Sequence, residues 1–237
     1  MKVEQSVIEA LKEIVGQSNV LTQQAELENY GHDEIPSLHF PPEAVVKPAT
    51  ADEVSRIMKL ASARKFSVTP RGAGTGLSGG SVAVEGGIVL SLERFNKILE
   101  IDQDNMMAVV EPGVITGQLQ KAAAALGLFY PVDPASLDSC SIGGNFAENS
   151  GGPQAAKYGI PRHYVTGMEA VLPDGEIIRY GGKLVKNVTG YDLLNIILGS
   201  EGTLAIATKL ILKLIPLPKY RIDLLVPFSG FEAAADT

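Results

Sequence analysis

The spacing of apolar residues changes along the chain, and each change predicts a different element. Over residues 3–15 apolar positions recur every three or four residues, which is typical of an amphipathic helix. Residues 44–70 then follow as strand, helix and strand, and the helix opens on a capping box at Thr50 and Glu53. Later apolar runs are short and are separated by turns. We expect strands at 86–93, 98–102, 106–111, 165–172, 176–180 and 203–217, and helices at 115–127 and 190–198.

The order of these elements decides the fold class. Strands outnumber helices, and they follow one another in hairpins, such as the one that turns at Pro173-Asp174-Gly175, as often as in helical crossovers. That mixture indicates an α+β fold. In the last long strand Leu204 and Ile206 are expected on one face with further leucines. Residues 29–43 are polar and broken by proline, so we expect an irregular segment there, and residues 218–237 are expected to begin a strand and a helix.

Composition and charge are those of an ordinary globular protein. The 237 residues are 45% hydrophobic and 20% charged, and the formal net charge is −7. Such an acidic chain lacks the broad basic surface that a nucleic acid requires. The single Cys140 rules out a disulfide framework or a cysteine-rich metal site, and it fits a reducing cytoplasm. The N-terminal residues are unlike a signal peptide, so we expect a cytoplasmic protein with no metal site, no nucleic-acid partner and no transmembrane segment.

The stretch PRGAGTGLSGG at residues 70–80 holds five glycines and directly follows a predicted strand. Three of them match the dinucleotide-binding pattern G-x-G-x-x-G, but a strand follows where a Rossmann fold has a helix. Gly80 stands where a P-loop has its lysine. Two interpretations remain: a flexible surface loop, or a compact loop whose successive N–H groups bind an anion. Arg71 either adds charge to such a site or forms a surface salt bridge.

Two further stretches are dense in small residues. Residues 133–152 carry two glycine pairs among serines and asparagines, a density typical of backbone that packs against something flat. Residues 198–208 place glycines at a turn into the last long strand. Together with residues 70–80, these stretches are suited to line one extended ligand.

Five motifs occur in an order that resembles a known family: PRGAGTGLSGG, DPASLDSCSIGGNFAENSGG, VLPDGEII, KNVTGYDL and GSEGTLAIAT. Together they resemble the FAD-binding domain of the vanillyl-alcohol oxidase/p-cresol methylhydroxylase (PCMH) flavoprotein superfamily. Within it they look most like the branch of the glycolate oxidase D-subunit and D-lactate dehydrogenase. The resemblance covers roughly residues 40–217 and implies an α+β fold of PCMH type, in which FAD lies between two subdomains.

The resemblance also implies how the chain is divided. Residues 1–40 are a helical and irregular N-terminal segment, and residues 41–217 are the FAD-binding domain. Its first subdomain, of β-α-β type, covers about 41–105, and the second, with a mixed or antiparallel sheet, covers about 106–217. Residues 218–237 are expected to begin a C-terminal cap domain that this chain lacks.

The FAD contacts that the resemblance implies come from all three small-residue stretches. The first is expected to wrap the pyrophosphate with its N–H groups, the second to pass the flavin and the ribityl chain, and the third to lie at the adenosine end or the far edge of the flavin. The implied cofactor-binding residues are Pro70, Arg71, Gly72, Ala73, Gly74, Thr75, Gly76, Leu77, Ser78, Gly79, Pro134, Ala135, Cys140, Ser141, Gly143, Gly144, Asn145, Ala147, Asn149, Glu201, Gly202 and Ile206.

Dissociable FAD is expected, although some members attach the flavin covalently. Those members use a histidine just after the double glycine of the first loop, and here that position reads Gly79-Gly80-Ser81. Cys140 lies before Gly143-Gly144, as in non-covalent members, and a small buried thiol is its favoured role. Non-catalytic roles are expected for the three histidines, His32, His39 and His163.

The implied activity is the oxidation of a 2-hydroxy acid, of glycolate or D-lactate type, by hydride transfer to flavin N5. The groups that bind and deprotonate the substrate belong to the cap in this family, so no catalytic residue is assigned here. The chain is expected to be either a truncated piece of such an enzyme or a subunit that a partner completes, and partner subunits or an electron-transfer protein are its candidate partners. One alternative is a stand-alone flavin-binding or electron-transfer module, or an inactive fragment, without a substrate site. Another is an NAD(P)H reductase of the enolpyruvyl reductase branch, against which KNVTGYDL and SEGTLAIAT argue.

Overall fold

The computed structural model describes residues 3–236, which form helices packed on two main β-sheets. The α-helices are α1 (Gln5–Val15), α2 (Gln24–Leu27), α3 (Ala51–Arg64), α4 (Thr116–Ala124), α5 (Ile142–Glu148), α6 (Ala155–Tyr158), α7 (Leu193–Ile197) and α8 (Phe231–Ala235). The β-strands are β1 (Val20–Leu21), β2 (Ala44–Val46), β3 (Val68–Arg71), β4 (Ile88–Ser91), β5 (Ile98–Asp102), β6 (Met107–Val110), β7 (Leu128–Phe129), β8 (Val165–Val171), β9 (Ile177–Gly181), β10 (Ile206–Lys213) and β11 (Ile215–Pro216). The predicted α+β class is confirmed.

The first sheet has the strand order β1-β2-β4-β3, with β2, β4 and β3 parallel and β1 antiparallel. Helix α3 carries the chain from β2 to β3, so the predicted β-α-β unit forms, and β4 occupies the place between its two strands. The helix begins as predicted, since Thr50 Oγ1 accepts a hydrogen bond from the N–H of Glu53 at 3.2 Å. The Glu53 carboxylate in turn accepts from the N–H of Ala49 at 2.7 Å, one residue before the usual partner in a capping box.

The N-terminal helix completes the core of this sheet. Helix α1 buries Val7, Ile8, Leu11 and Val15, which is the face that the apolar periodicity predicts. These side chains belong to the same hydrophobic core as α3, β2 and β4. Residues 3–40 therefore join the first sheet, through α1 and through the pairing of β1 with β2.

The second sheet has five antiparallel strands in the order β5-β6-β10-β8-β9. The predicted hairpin forms between β8 and β9, where Gly175 has a φ of +86° and donates its N–H to the carbonyl of Leu172 at 2.9 Å. The hairpin β5-β6 also belongs to this sheet. The strands β5 and β6 are joined by a tight turn and pair with each other, so β5 belongs to the second sheet. The chain therefore leaves the first sheet before Ile98, and not near residue 105, where the subdomain boundary is expected.

Three predicted elements differ in extent. Helix α4 ends at Ala124, three residues before the glycine expected to cap it. Leu204 is 43% exposed and not on the buried face of the long strand, because it lies in the turn before β10 begins. Residues 218–229 contain no strand, and α8 follows them. Their apolar side chains have no sheet to pack on, and Leu224 is 85% exposed.

The two sheets meet at the ends of two strands. Val171 of β8 and Ile206 of β10 are buried in the core of the first sheet. The turn before β10 touches the end of β3, where a Cβ built on Gly202 would lie 2.6 Å from Cγ of Pro70. The β3–β4 connection and the start of β10 therefore enclose one space between the sheets.

Candidate cofactor-binding site

A cleft of about 770 Å³, counted with the part that is open to solvent, lies at this junction. Its walls are the connection after β3, the helix α5 and the turn that leads into β10. The structure thus brings together the three small-residue stretches that are predicted to line one ligand. The predicted residues that line the cleft are Pro70, Arg71, Gly72, Ala73, Gly74, Gly76, Ser78, Gly143, Gly144, Ala147, Glu201, Gly202 and Ile206.

The glycine loop, residues 72–80, offers hydrogen-bond donors to this cleft. In the part of the chain that the structure describes, the backbone N–H groups of residues 72–75 donate to no protein acceptor. Residues 72–75 are half-buried or exposed, so their N–H groups are accessible to a ligand. Successive unpaired N–H groups in a tight loop form a concavity that binds anions. The loop is therefore suited to receive the acceptor atoms of a ligand.

Gly76 leaves a space that a side chain would fill. A Cβ built on it lies 3.7 Å from its nearest neighbour, Oε1 of Glu148, so the fold itself does not require glycine there. Gly74 differs, because its φ is +74° and a Cβ would lie 2.1 Å from Nη2 of Arg71. Gly74 thus serves the conformation of the loop, whereas Gly76 keeps the cleft open.

Arg71 is buried, with 6% of its surface exposed. Its Nη1 donates to the carbonyl oxygen of His32 at 2.7 Å and to that of Ser81 at 3.3 Å. Burial lowers the pKa of the guanidinium, and the neighbouring Tyr30 and Asp33 act in the opposite direction. The surface salt bridge considered for Arg71 is wrong. Its side chain is a buried fork that holds backbone carbonyl groups.

Two carboxylates, Glu148 and Glu201, supply acceptors on the walls. Oε1 of Glu148 accepts from Oγ of Ser78 at 2.8 Å, which links α5 to the glycine loop. Glu201 has a φ of +54°, and its N–H donates to the carbonyl of Ala147 at 2.9 Å. With Asp33, three carboxylates and one guanidinium line the cleft, so the charge of the lining is negative. An anionic ligand must therefore be held by N–H groups and not by net charge.

Apolar groups and one unpaired hydroxyl make up much of the remaining lining. Oγ of Ser200 is buried and finds no hydrogen-bond partner among residues 3–236. A buried hydroxyl in this state costs about 1–3 kcal/mol, which points to a partner on a ligand. The sequence does not predict the other lining residues, which are Asp33, Gly80, Ser81, Leu92, Phe146, Glu148, Ile197, Ser200, Ala205 and Ala207.

Most of these missed residues lie within or beside stretches that the sequence does mark. Phe146 and Glu148 fall inside residues 133–152, and Ser200 falls inside residues 198–208. Asp33 is different, because it lies in the irregular segment and has no local pattern that signals a site.

Three predicted residues of the glycine loop do not line the cleft. Leu77 is on the surface, with 75% of its area exposed. The N–H of Gly79 donates to Oδ2 of Asp33 at 2.9 Å, so Gly79 anchors the loop. Thr75 is half-buried, and its N–H is among the unpaired group.

Cys140 and Asn145 lie beneath the cleft lining and not in it. Cys140 is 3% exposed and its Sγ donates to Oγ1 of Thr116 at 3.4 Å. Nδ2 of Asn145 donates to the same oxygen at 2.5 Å. The cluster joins α4 to α5, and it agrees with the buried-thiol role for Cys140.

The other four predicted residues of the second stretch also lie outside the cleft. Pro134 and Ala135 line a separate groove beside Phe129. Ser141 caps α5 by accepting the N–H of Gly144 at 3.2 Å. Oδ1 of Asn149 accepts the N–H of Arg162 at 3.1 Å. Ser141 and Asn149 thus shape the wall from behind.

The three histidines do not line the cleft. Nε2 of His39 lies 2.6 Å from the carboxylate of Glu28 at the surface, and Nδ1 of His163 accepts the N–H of Ile160 at 3.1 Å. Across residues 3–236, no group of three or more His, Cys, Asp or Glu side chains is arranged to hold a metal ion. Over the same residues, no helix combines the length and apolar character that crossing a membrane requires.

The chemistry of the lining fits FAD. A diphosphate accepts hydrogen bonds, and the loop offers the N–H groups of residues 72–75. Ribose and ribityl hydroxyls donate, and Glu148 and Glu201 offer carboxylate oxygens. Adenine is flat and largely apolar, and Phe146 and Ile197 offer apolar surface. Groups that match the diphosphate, the sugar hydroxyls and adenine thus line one cleft.

Comparison with known proteins agrees with this fit. The family model described as "FAD binding domain" matches residues 42–181. The chain is 46% identical to glycolate oxidase subunit GlcD of Bacillus subtilis (strain 168) over 98% of this chain and 49% of that protein. It is 43% identical to D-lactate dehydrogenase of Anaerostipes hadrus over 98% of this chain and 48% of that protein.

A solved structure of 4-ethylphenol oxidase from Gulosibacter chungangensis superposes with a TM-score of 0.78 and 29% identity, covering 91% of this chain and 43% of that one. The chain spans about half the length of the curated relatives it matches. The matched family region contains both the glycine loop and α5, two of the three walls of the cleft. The chain therefore belongs to the FAD binding domain family of PCMH-type flavoproteins, and FAD is its cofactor.

Proposed function

We propose that this chain is the FAD-holding part of an enzyme that oxidises a 2-hydroxy acid of glycolate or D-lactate type. The observation that carries the proposal is the similarity to a glycolate oxidase subunit and to a D-lactate dehydrogenase over 98% of the chain. The lining of the cleft supports it, because donors, acceptors and apolar surface are placed for a dinucleotide.

The residues of this chain bind and orient the cofactor in the proposed enzyme. The N–H groups of residues 72–75 would hold the diphosphate, and Glu148 and Glu201 would accept hydrogen bonds from hydroxyl groups. Bound FAD would supply the hydride acceptor for oxidation of the hydroxy acid. The close approach of Gly202 to Pro70 joins the two sheets on one side of the cleft.

The groups that bind the substrate carboxylate and remove the hydroxyl proton are proposed to lie in a cap domain outside these residues. The curated relatives are about twice as long as this chain. Residues 184–196 and 217–231 carry strongly exposed apolar side chains, including Val185 at 99%, Tyr191 at 87%, Leu225 at 96% and Phe231 at 88%. Exposed apolar surface of this kind is typical of an interaction site, and it supports the proposal that a cap domain packs on these residues.

A second candidate is a flavin-binding or electron-transfer module without its own substrate site. One observation favours it for this chain alone. Among the residues that the structure describes, Arg71 is the one cationic side chain in the cleft lining, and its guanidinium is engaged with backbone carbonyls. The lining therefore offers no uncommitted cation for the carboxylate of a hydroxy acid.

Anaerobic flavin bleaching distinguishes the two candidates. The purified chain is expected to take up FAD and show flavin absorbance. Glycolate and D-lactate should leave the absorbance of this chain unchanged, and they should bleach a longer protein that includes the downstream half. A longer protein that neither acid bleaches contradicts the oxidase proposal, whereas bleaching of the isolated chain contradicts the module. A chain that takes up no FAD contradicts both.

Non-covalent attachment is part of the proposal. No histidine of residues 3–236 lies in the cleft lining, and Cys140 is buried in the cluster with Thr116. Precipitation of the loaded protein with trichloroacetic acid is expected to leave all yellow colour in the supernatant. Colour that remains in the washed pellet contradicts dissociable FAD.

A further inference from the structure

Residues 29–38, which we call the clamp segment, lie before the matched family region of residues 42–181, yet they hold the glycine loop. The N–H of Glu34 donates to the carbonyl of Gly76 at 3.1 Å. Oδ2 of Asp33 accepts the N–H of Gly79 at 2.9 Å. A Cβ built on Gly79 would lie 2.9 Å from Cδ1 of Leu38, so the two segments are also in van der Waals contact.

Arg71 ties the clamp segment to the start of the loop. Its guanidinium donates to the carbonyls of His32 and Asn29, at 2.7 and 3.5 Å, and it lies 5.8 Å from the ring centroid of Tyr30. Gly74 approaches the other side of the guanidinium so closely that a Cβ there would collide with it. The loop thus rests on a side chain that is itself fixed by the clamp segment.

Asp33 is 7% exposed and uses both carboxylate oxygens on backbone amides. Oδ1 accepts the N–H of Ile35 at 2.8 Å, and Oδ2 accepts the N–H of Gly79. A carboxylate at the edge of a diphosphate site repels the ligand through space. Asp33 is therefore suited to act through the backbone and not through contact with the anion.

The anchoring matters because the loop is rich in glycine. A glycine-rich loop without contacts populates many conformations, and binding would have to select one of them. A loop that is already fixed binds more tightly, because the ordering cost has been met during folding. The clamp bonds use Gly76 and Gly79, and they leave the N–H groups of residues 72–75 for the ligand.

We propose that the clamp segment pre-forms the glycine loop for FAD, and that Asp33 and Arg71 are the positioning residues of this device. The inference rests on the FAD site of the proposed function and adds the N-terminal segment to it. The FAD titration below needs no hydroxy acid, so its outcome is independent of which substrate, if any, the complete enzyme oxidises.

The test compares Asp33→Ala with a matched control, Glu43→Ala. Glu43 also accepts two backbone N–H groups, from Val3 at 2.6 Å and from Gly87 at 3.2 Å. It holds the far end of the same β3–β4 connection and does not line the cleft. The two variants therefore remove similar bonds at two ends of one segment.

Asp33→Ala is expected to raise the Kd for FAD by about tenfold or more, and Glu43→Ala by less than about twofold. In the FAD-free protein, Asp33→Ala should speed amide hydrogen exchange at residues 74–79, and Glu43→Ala should speed it near Gly87. Wild-type affinity and exchange in Asp33→Ala overturn the proposal. Equal losses of affinity in both variants also overturn it, because a general loss of stability then explains them.

Two further variants keep the test informative if Asp33→Ala does not fold. Asp33→Asn preserves the shape and one acceptor oxygen, and it should show a smaller increase in Kd with the same local exchange pattern. Arg71→Lys keeps the charge but not the fork that reaches several carbonyls, and it is expected to weaken FAD binding. Full affinity in Arg71→Lys overturns the positioning role, because charge alone would then suffice.

Discussion

The two glycine-rich regions of the cleft look alike in sequence and differ in structure. In the glycine loop, a Cβ on Gly76 would make only ordinary van der Waals contact, 3.7 Å from its nearest neighbour. In the second stretch, Gly143 and Gly152 press on the chain itself: a Cβ would lie 2.9 Å from the carbonyl oxygen of Pro112 and 2.0 Å from that of Asp133. The first region keeps a glycine for a ligand, and the second keeps glycines for packing.

The two kinds of glycine should respond differently to substitution, although the composition of the two regions is similar. A substitution at a packing glycine should damage the fold and lose FAD as a consequence. A substitution at a ligand-facing glycine should lose FAD and leave the fold intact. Stability of the FAD-free protein and affinity for FAD therefore need to be measured side by side.

The largest effect on the fold is expected from Gly152→Ala. The added Cβ would overlap the carbonyl of Asp133, so the backbone must shift, at a cost of about 3 kcal/mol in the free energy of unfolding. That corresponds to a loss of roughly 6–12 °C in Tm for a chain of this size. Thermal unfolding of the FAD-free protein measures it.

The neighbouring glycine is the control for this prediction. A Cβ on Gly151 would lie 3.7 Å from Ala155 Cβ and from Ile160 Cγ2, which is ordinary contact. Gly151→Ala should therefore keep the wild-type Tm within about 2 °C. Equal Tm values for the two variants would remove the packing role of Gly152.

The largest effect on the ligand is expected from Gly76→Val. The added Cβ makes only ordinary contact in the FAD-free protein, and the side chain should fill the space proposed for the diphosphate, so FAD affinity should fall by about a hundredfold. Leu77→Ala, at the exposed next residue outside the cleft, should leave the affinity unchanged. Flavin fluorescence titration compares them. Normal FAD retention by Gly76→Val would remove the pyrophosphate assignment of the loop.

A smaller effect is expected from Ser200→Ala, which should lower FAD affinity without lowering the stability of the FAD-free protein. Removing a buried unpaired hydroxyl should leave the FAD-free protein as stable or up to about 1 kcal/mol more stable, since no hydrogen bond is lost. FAD affinity should fall by about five- to tenfold if the hydroxyl bonds the cofactor. Chemical denaturation measures the change in stability, and FAD titration measures the change in affinity.

A hydroxyl that already has a partner provides the contrast. Oγ1 of Thr203 donates to the carbonyl of Ser200 at 2.6 Å. Thr203→Val should lower the stability of the FAD-free protein and change FAD affinity little. A Ser200→Ala variant that behaves like Thr203→Val would show that the Ser200 hydroxyl serves the fold and not the ligand.

The sequence predicts features that depend on neighbouring residues. The helix that opens at Thr50, the hairpin at Gly175 and the α+β class all follow from local patterns, and the structure confirms them. The sequence also predicts that three glycine-rich stretches line one site, because small residues allow the backbone to approach a ligand closely. The identity of the cofactor, FAD, follows from the resemblance of these motifs to a flavoprotein family.

What the sequence does not predict depends on distant contacts. Asp33 meets Gly79 across 46 positions, and nothing near Asp33 marks that pairing. Cys140 and Asn145 sit in the right stretch but turn toward Thr116, 24 and 29 positions away. Whether a residue in a marked stretch faces the ligand or the core is decided by tertiary packing, which no local pattern records.

The place of β10 in its sheet has a consequence for the order of assembly. This strand is the last of its sheet along the chain, yet it is inserted between β6 and β8. The third wall of the cleft leads directly into it, so that wall cannot face the glycine loop until the central strand has paired with partners far back in the sequence. Pairing over such separations is the slow part of folding. We therefore expect FAD binding to require a paired β10, so that flavin uptake during refolding would report when the second sheet is complete.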